Sequence, residues 1–340
     1  MDVVALDLFC GAGGLTRGLE QAGLNVRVGW DLDLSCRFPY ENGKASEFRL
    51  KDVAELSVEE VQAAFGGAEV RLLAGCAPCQ TFSTYSRGAK AASPNDSRWT
   101  LLDHFGRIVE GVLPEFVTME NVPGAAEFQA YARFSSLLAD LGYDLYHEVI
   151  DCQELGLPQA RRRRVLLASR IGSAPRISKT PRRQTVRSAI GDLPPVEPGE
   201  TNVHDHLHRA SSLSPLTVER LLATPEGGDW RDWPERLKLA CHKRDSGKTY
   251  RGVYGRMRWD SPAPTLTTLC GGVGNGRFAH PEQNRGITLR EAAILQGFAP
   301  GYQFKGSDEK LRPRTIARLI GNAVPPPLGA AIGAAIMASL

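Results

Sequence analysis

Several features are scarce in this chain. It has no unbroken run of eighteen apolar residues, so no simple membrane-spanning helix is expected. The opening MDVVALDLFCGAGG has neither a basic leader nor a small-residue cleavage site, which argues against a secretory signal. Only one CxxC pair occurs, Cys76 with Cys79, and the seven cysteines are an odd number scattered over 340 residues. That pattern disfavours a disulfide framework and a four-cysteine zinc site, and it points to reduced thiols in a cytoplasmic protein. Internal repeats, low-complexity tracts and a GxGxxG turn are also missing. What is present is an ordinary globular balance, 42% hydrophobic and 23% charged, in a chain long enough for two domains.

The formal net charge of +3 conceals a polarity. Residues 1–160 hold 12 Lys and Arg against 23 Asp and Glu, whereas residues 161–340 hold 29 against 15. The stretch 161–187 alone carries ten basic residues and no acidic one. A basic half suits either a polyanion partner or a solvated face.

Residues 3–9, 26–30, 71–74 and 115–120 read as strands, and 15–22, 58–65, 101–112 and 128–141 as helices. This alternation predicts a mostly parallel, doubly wound α/β sheet. Residues 143–150 and 164–169 read as an antiparallel edge pair. After about Ile171, Pro175, Pro181, Pro194, Pro195 and Pro198 punctuate a basic, poorly periodic segment, the expected linker into a second, irregular domain running to about Pro313. Residues 328–337 read as an apolar helix.

Four segments carry chemistry. In DLFCGAGGLTRGLEQAG a strand enters a glycine-rich turn that opens a helix, a geometry suited to close ligand approach. Asp31 follows Gly11 by 20 positions at the end of a second strand, where an acid can bind ribose hydroxyls. Without GxGxxG or a pyrophosphate-binding arginine cluster, an S-adenosylmethionine-like nucleoside is favoured over a nicotinamide dinucleotide. In AGCAPCQTFSTYSRG, Cys79 follows a strand and a proline and reads as a lone nucleophile, against the commoner fate of a buried structural thiol. Glu120 of MENVPG ends an apolar strand, where a half-buried carboxyl tends toward a raised pKa and proton donation; its ordinary alternative is a helix-capping acid. In QARRRR, alternation along a strand would place Gln159, Arg161 and Arg163 on one face toward a phosphate or carboxylate, or as a charged edge. HDHLH, 204–208, reads as a polar surface segment rather than a metal site.

In that order, DLFCGAGGL, PCQxFS, ENV, QxRxR, RGITLREAAILQGF and GNAVPP resemble the DNA cytosine-5 methyltransferases, over nearly the whole chain. The resemblance implies a Rossmann-like S-adenosylmethionine-dependent methyltransferase fold over 1–175, completed by a C-terminal helix within 314–340, with a target-recognition domain over 176–313. It implies Cys79 as nucleophile, Glu120 as acid, and Arg161 and Arg163 as arginines serving the base. For the cofactor it implies Phe9, Gly11, Ala12, Gly13, Gly14, Asp31, Leu32, Asp52, Val53, Pro78, Leu101 and Asn322. Ala77 replaces a proline common in the family, and Leu32 an aromatic that some members stack on adenine. The implied reaction uses S-adenosylmethionine, gives S-adenosylhomocysteine, needs no metal, and acts on a flipped-out cytosine in double-stranded DNA. Gln80, Ser83, Arg244, Lys248, Arg251, Arg256, Thr265 and Arg277 are the expected DNA contacts. They fall on the PCQ loop, on a mobile loop at 83–98, on recognition loops at 242–256 and 271–277, and on the Thr-Leu element between those two. We expect a monomer, without membrane contact, that is either an orphan enzyme or partnered functionally by a cognate restriction endonuclease. A tRNA methyltransferase would share the core, but the large recognition region favours DNA. A catalytically silent DNA-binding regulator would not need Cys79, Glu120 and Arg161 together.

Overall fold

Val3–Leu8 (β1) is a strand buried at all six positions, and its alternating side chains serve two faces. Val4, Leu6 and Leu8 enter the main apolar core, while Asp7, on the other face, meets the first helix. In this computed structural model the described residues are 2–42, 44–77, 100–180, 183–245, 247, 252–307 and 309–340. Pro78, Cys79, Gln80, Ser83, the loop expected at 83–98, Lys248 and Arg251 lie outside them.

The chain continues through α1 (Gly14–Gln21), β2 (Asn25–Asp31), α2 (Arg37–Glu41), β3 (Glu47–Leu50), α3 (Val58–Phe65), β4 (Val70–Gly75), α4 (Thr100–Val112), β5 (Phe116–Asn121), α5 (Gln129–Asp140), β6 (Asp144–Asp151) and β7 (Arg162–Ser169). Ser57 and Glu60 form a capping box that starts α3. The sheet order is β3-β2-β1-β4-β5-β7-β6. The first five strands are parallel, and β7 runs antiparallel to both β5 and β6. The expected antiparallel edge pair is present. β3 was not read from the sequence, because it has four residues and only Phe48 is buried. Apolar residues of α3, α4 and α5 fill one face of the sheet. The strand order reverses between β1 and β4, and open α/β sheets bind ligands beyond the carboxyl ends at such a point.

Two compact units divide the chain. The first holds Met1–Leu155, Arg162–Pro181 and Ala323–Leu340; the second holds Gly156–Arg161 and Arg182–Asn322. The second unit contains α6 (Val186–Ile190), a ribbon of β8 (Thr201–Asn202) and β9 (Asp205–Arg209), α7 (Pro215–Leu222), α8 (Leu289–Leu295) and α9 (Pro313–Asn322). Much of the remainder is turns. Its interior joins small apolar clusters to buried ion pairs. Arg285 and Glu291, both essentially inaccessible, form a two-pronged pair at 2.7 and 2.8 Å. Such pairing is what makes burying the two charges tolerable.

The chain returns to the first unit as α10 (Pro326–Met337), which packs against α1. The stretch Pro313–Met337 is apolar enough to count as a membrane span by composition, yet it is two helices, broken at 323–325, and 72% of its window is buried. The contact with α1 is backbone on backbone. A Cβ on Gly18 would stand 2.3 Å from the Pro326 carbonyl oxygen and 2.4 Å from the Ala330 nitrogen, and neither can move without shifting the helix. We expect Gly18→Ala to lower stability by about 3 kcal/mol, the upper range for overpacking. Chemical denaturation checks this, and an unchanged midpoint would contradict the contact.

Candidate active site

The glycine-rich turn after β1 is built from left-handed backbone. Phe9 (φ 59°), Gly11 (φ 53°) and Gly13 (φ 80°) all lie there, and Phe9 bears the strain of a side chain in that region. Asp31, at the end of β2, closes the turn: its Oδ2 accepts from the Gly11 amide and its Oδ1 from the Asp33 amide, each at 2.9 Å. Burial raises the Asp31 carboxyl above its usual range. Among the described residues nothing stands within 4 Å of where a Gly11 Cβ would be, so they leave open space there. Leu32, next to Asp31, is 68% exposed, and Leu50 of β3, the register partner of Asp31, is 46% exposed.

The other residues expected around a cofactor divide in their surroundings. Asp52 caps a short helical turn by accepting from the Ala54 amide, and Leu101 is half-buried in the first turn of α4. Ala12 and Val53 are buried. Gly14 has a structural reason for being glycine: a Cβ would fall 2.1 Å from the Val324 carbonyl oxygen. Asn322 is exposed and is the last residue of the second unit.

β4 and β5 carry the second group of residues. Glu120 is 3% exposed at the end of β5. Its Oε2 accepts from the Cys76 thiol at 2.8 Å, and its Oε1 forms an ion pair with Arg163 Nε at 2.8 Å. Asn121 donates through Nδ2 to the Ala77 carbonyl at 3.2 Å, fixing the last described residue before Pro78 and Cys79. Sequence reasoning weighed Cys76 only as half of the CxxC pair and gave Asn121 no role; the ENV motif was the available signal, since the asparagine follows the acid directly.

The two arginines of QxRxR separate. β7 begins at Arg162, and the chain passes from the second unit to the first between Arg161 and Arg162. Shared strand alternation of Gln159, Arg161 and Arg163 therefore does not hold. Arg163 alone meets Glu120. Arg161 is buried, donating to the Leu266 carbonyl at 3.1 Å and the Gly321 carbonyl at 3.0 Å. Gln159 is also buried, bonded to Leu295, Gln296 and Leu266. Through the Leu266 and Gly321 carbonyls Arg161 braces the second unit.

Expected DNA contacts also sort by burial. Arg244 is exposed. Arg256 is 4% exposed and donates to the carbonyls of Thr224, Leu221, His280 and Gln283 and to Asn284. Every nitrogen of its guanidinium is engaged, so the expected contact with DNA is corrected to a scaffold role. Arg277 donates to the carbonyls of Gly227, Gly228 and Arg256 and pairs with Asp229 at 3.1 Å. Thr265, exposed, donates its hydroxyl to the Ala160 carbonyl. In HDHLH, His204 and His206 are exposed, but His208 is buried against Thr288 and the Pro194 carbonyl.

Much of the basic stretch 161–187 is engaged within the protein. Arg164, Arg170 and Arg176 lie over the rings of Tyr131, Tyr143 and Tyr146 at 5.6, 5.8 and 5.2 Å. Lys179 pairs with Glu148 and Glu154, and Arg187 with Asp260. Arg162 and Arg183 are exposed.

Below the turn, fully buried Asp7 accepts the Thr16 hydroxyl at 2.6 Å, and Thr16 also meets the Tyr40 hydroxyl at 3.1 Å. Its second oxygen, Oδ1, has no partner among the described residues. Burial pushes the Asp7 carboxyl up to about 7. Because the folded value lies above the unfolded one, Asp7 favours folding at low pH, and that contribution is lost as pH rises from about 4 to about 7. Asp7→Asn should therefore lose less stability than the parent between pH 5 and pH 7. The difference should approach at most about 1.4 kcal/mol per pH unit, read by urea titration at the two pH values. Parallel pH profiles would contradict the buried proton.

The family model for the C-5 cytosine-specific DNA methylase matches residues 3–338. A Type II methylase, M.HgiDII of Herpetosiphon aurantiacus, is 42% identical over 97% of this chain and 94% of its own length. The Type II methyltransferase M1.BsuMI of Bacillus subtilis is 32% identical over 94% of this chain and 77% of its own. Among solved structures, the Entamoeba histolytica methyltransferase EhMeth superposes with a TM-score of 0.70 at 15% identity, covering 100% of this chain and 99% of that one, a likeness of fold. The chain belongs to the C-5 cytosine-specific DNA methylase family, and its enzyme class is DNA (cytosine-5)-methyltransferase.

Proposed function

We propose that the chain methylates carbon 5 of cytosine at a defined sequence in duplex DNA, through a covalent Cys79 adduct on a flipped-out base. The observation that carries this reading is the Cys76–Glu120–Arg163 cluster. It sits with Asn121 at the strand ends that lead into Pro78 and Cys79. In the proposed chemistry the Cys79 thiolate adds to carbon 6. Glu120, oriented by Arg163, donates a proton or hydrogen bond to ring N3, and the resulting enamine is nucleophilic at carbon 5. After methyl transfer a water molecule acting as base takes the carbon 5 proton, and the C–S bond breaks to release the thiolate. A base stacked in a duplex is out of reach of this group, so extrusion is part of the reading, at a cost of about a few kcal/mol.

The residues at the first turn fit an adenosyl cofactor. The space at Gly11, the Asp31 carboxylate for ribose hydroxyls and the exposed faces of Leu32 and Leu50 for a purine support this. Phe9, Gly13, Asp52 and Leu101 complete the proposed binding set. S-adenosylmethionine, when bound, supplies an electrophilic methyl group and leaves as S-adenosylhomocysteine. The names of the two Type II relatives suggest a restriction–modification role.

Expression in a methylation-free host, followed by bisulfite sequencing, tests the reading. A defined set of protected cytosines is expected, lost in Cys79→Ser and formed about 10²–10⁴ times more slowly in Glu120→Gln. No protection, or protection that survives Cys79→Ser, would overturn it. Duplex affinity should fall with salt. Arg162→Ala should reduce the log–log slope by about 0.9 if that exposed cation meets a phosphate, whereas Arg164→Ala, whose charge lies over Tyr131, should leave it unchanged.

A further inference from the structure

The second unit contains a cavity of about 320 Å³ that the reaction chemistry does not use. One wall is the serine-rich entry to α7, including Ser211 and Ser212, and another is the glycine-rich segment with Gly272, Val273 and Gly274. Tyr254 closes the third side. Among the described residues no charged side chain lines it. Its volume lies at the lower end of the range for ligand pockets, suited to one small planar group.

Tyr254 is held there at a cost. Its φ of 55° is left-handed, an uncommon conformation for a residue with a large side chain, and such strain persists only where surrounding structure enforces it. Its amide donates to the Val273 carbonyl at 2.9 Å, tying the expected first recognition loop to the second. Its ring packs edge-on against Trp233 at 5.3 Å, with the Arg220 guanidinium 5.6 Å from the centroid. It also joins the two apolar clusters of this unit, one around Trp230 and Trp233 and the other around Leu221 and Val273. The hydroxyl, by contrast, makes no hydrogen bond among the described residues, and neither do those of Ser211 and Ser212. A Cβ on Gly274 would stand 3.4 Å from the Tyr254 hydroxyl, in van der Waals contact with it.

Resting on the proposed DNA cytosine methylation, we infer that this cavity is a base-reading subsite, in which the Tyr254 hydroxyl recognises the edge of one base of the target sequence. A rigidly placed phenol, free hydroxyls and close glycine backbone read a neutral heterocycle by hydrogen bonding. A phosphate would call for cations, and none is among the described lining residues. Tyr254 is a specificity residue with no part in methyl transfer itself.

The test uses the full-length enzyme on a duplex library randomised around the methylated site, with bisulfite mapping of the relative rate for every sequence. Tyr254→Phe, which removes only the hydroxyl, should relax discrimination at one base-pair position by about tenfold while the other positions and S-adenosylmethionine binding stay as in the parent. Gly274→Ala, which narrows the cavity with a methyl group against the phenol, should disturb the same position. An unchanged sequence profile in both variants overturns the inference, and so does an equal slowing of every sequence, which marks a backbone contact or a general defect. A parent enzyme that protects no cytosine overturns the methylation reading and this subsite with it. A parent with a defined site and variants with fixed profiles overturns only the subsite.

Discussion

The first unit depends on two helices meeting without side chains between them. Gly18 of α1 accepts the backbone of α10 at a distance where no other residue fits, and Gly14 does the same for the Val324 carbonyl. This contact lies some three hundred residues away along the chain. It is therefore formed only when the C-terminal segment comes back to the N-terminal one, and the entropy of closing so long a loop must be offset by packing. The consequence is topological: everything from Arg182 to Asn322 is an insertion between two parts of one packed unit. The glycine-rich turn thus has two duties. Gly11 leaves room on its open side, while Gly14 supports its rear.

The same economy of placement governs the acid. Parallel strands β4 and β5 end together, so the residues after them emerge at one edge of the sheet. β7 runs against β5, with Val165 opposite Glu120 and Arg164 opposite Asn121. The antiparallel sense means the residues just before those partners, Arg163 among them, lie around the carboxyl end of β5. A parallel neighbour would bring its own carboxyl end there and could not deliver the start of a strand. The reversal at the edge of an otherwise parallel sheet is what pairs Glu120 with a cation.

The fold was legible where length and apolarity agreed. β1, β4, β5 and the β6–β7 pair are apolar runs of strand length between helical patterns, and parallel pairing follows from that alternation. β3 was not legible, since Glu47–Leu50 has one buried side chain and owes its pairing to β2. The glycine turn and Glu120 stood out because their residue types are unusual at strand ends. The separation of Arg161 from Arg163 did not, because a two-residue spacing says nothing about where a chain changes units. Arg256 was unreadable for a similar reason: its acceptors are carbonyls contributed by distant turns, and carbonyls leave no mark in a sequence.

Much of the basic charge in this molecule is engaged within the protein. The run 161–187 suggests a polyanion site by composition, yet three of its arginines lie over tyrosines and others pair with carboxylates or backbone. Arginine can be held in this way because its planar, weakly hydrated guanidinium stacks on rings and forks onto carbonyls. In the second unit the same chemistry goes inward: Arg256, Arg277 and Arg285 tie turns together where regular structure is short. A unit with so little sheet needs donors that can satisfy several carbonyls at once, and arginine offers five. Basic composition there is first a means of folding an irregular chain. Only the cations left exposed, such as Arg162, Arg183 and Arg244, remain available to a phosphate backbone.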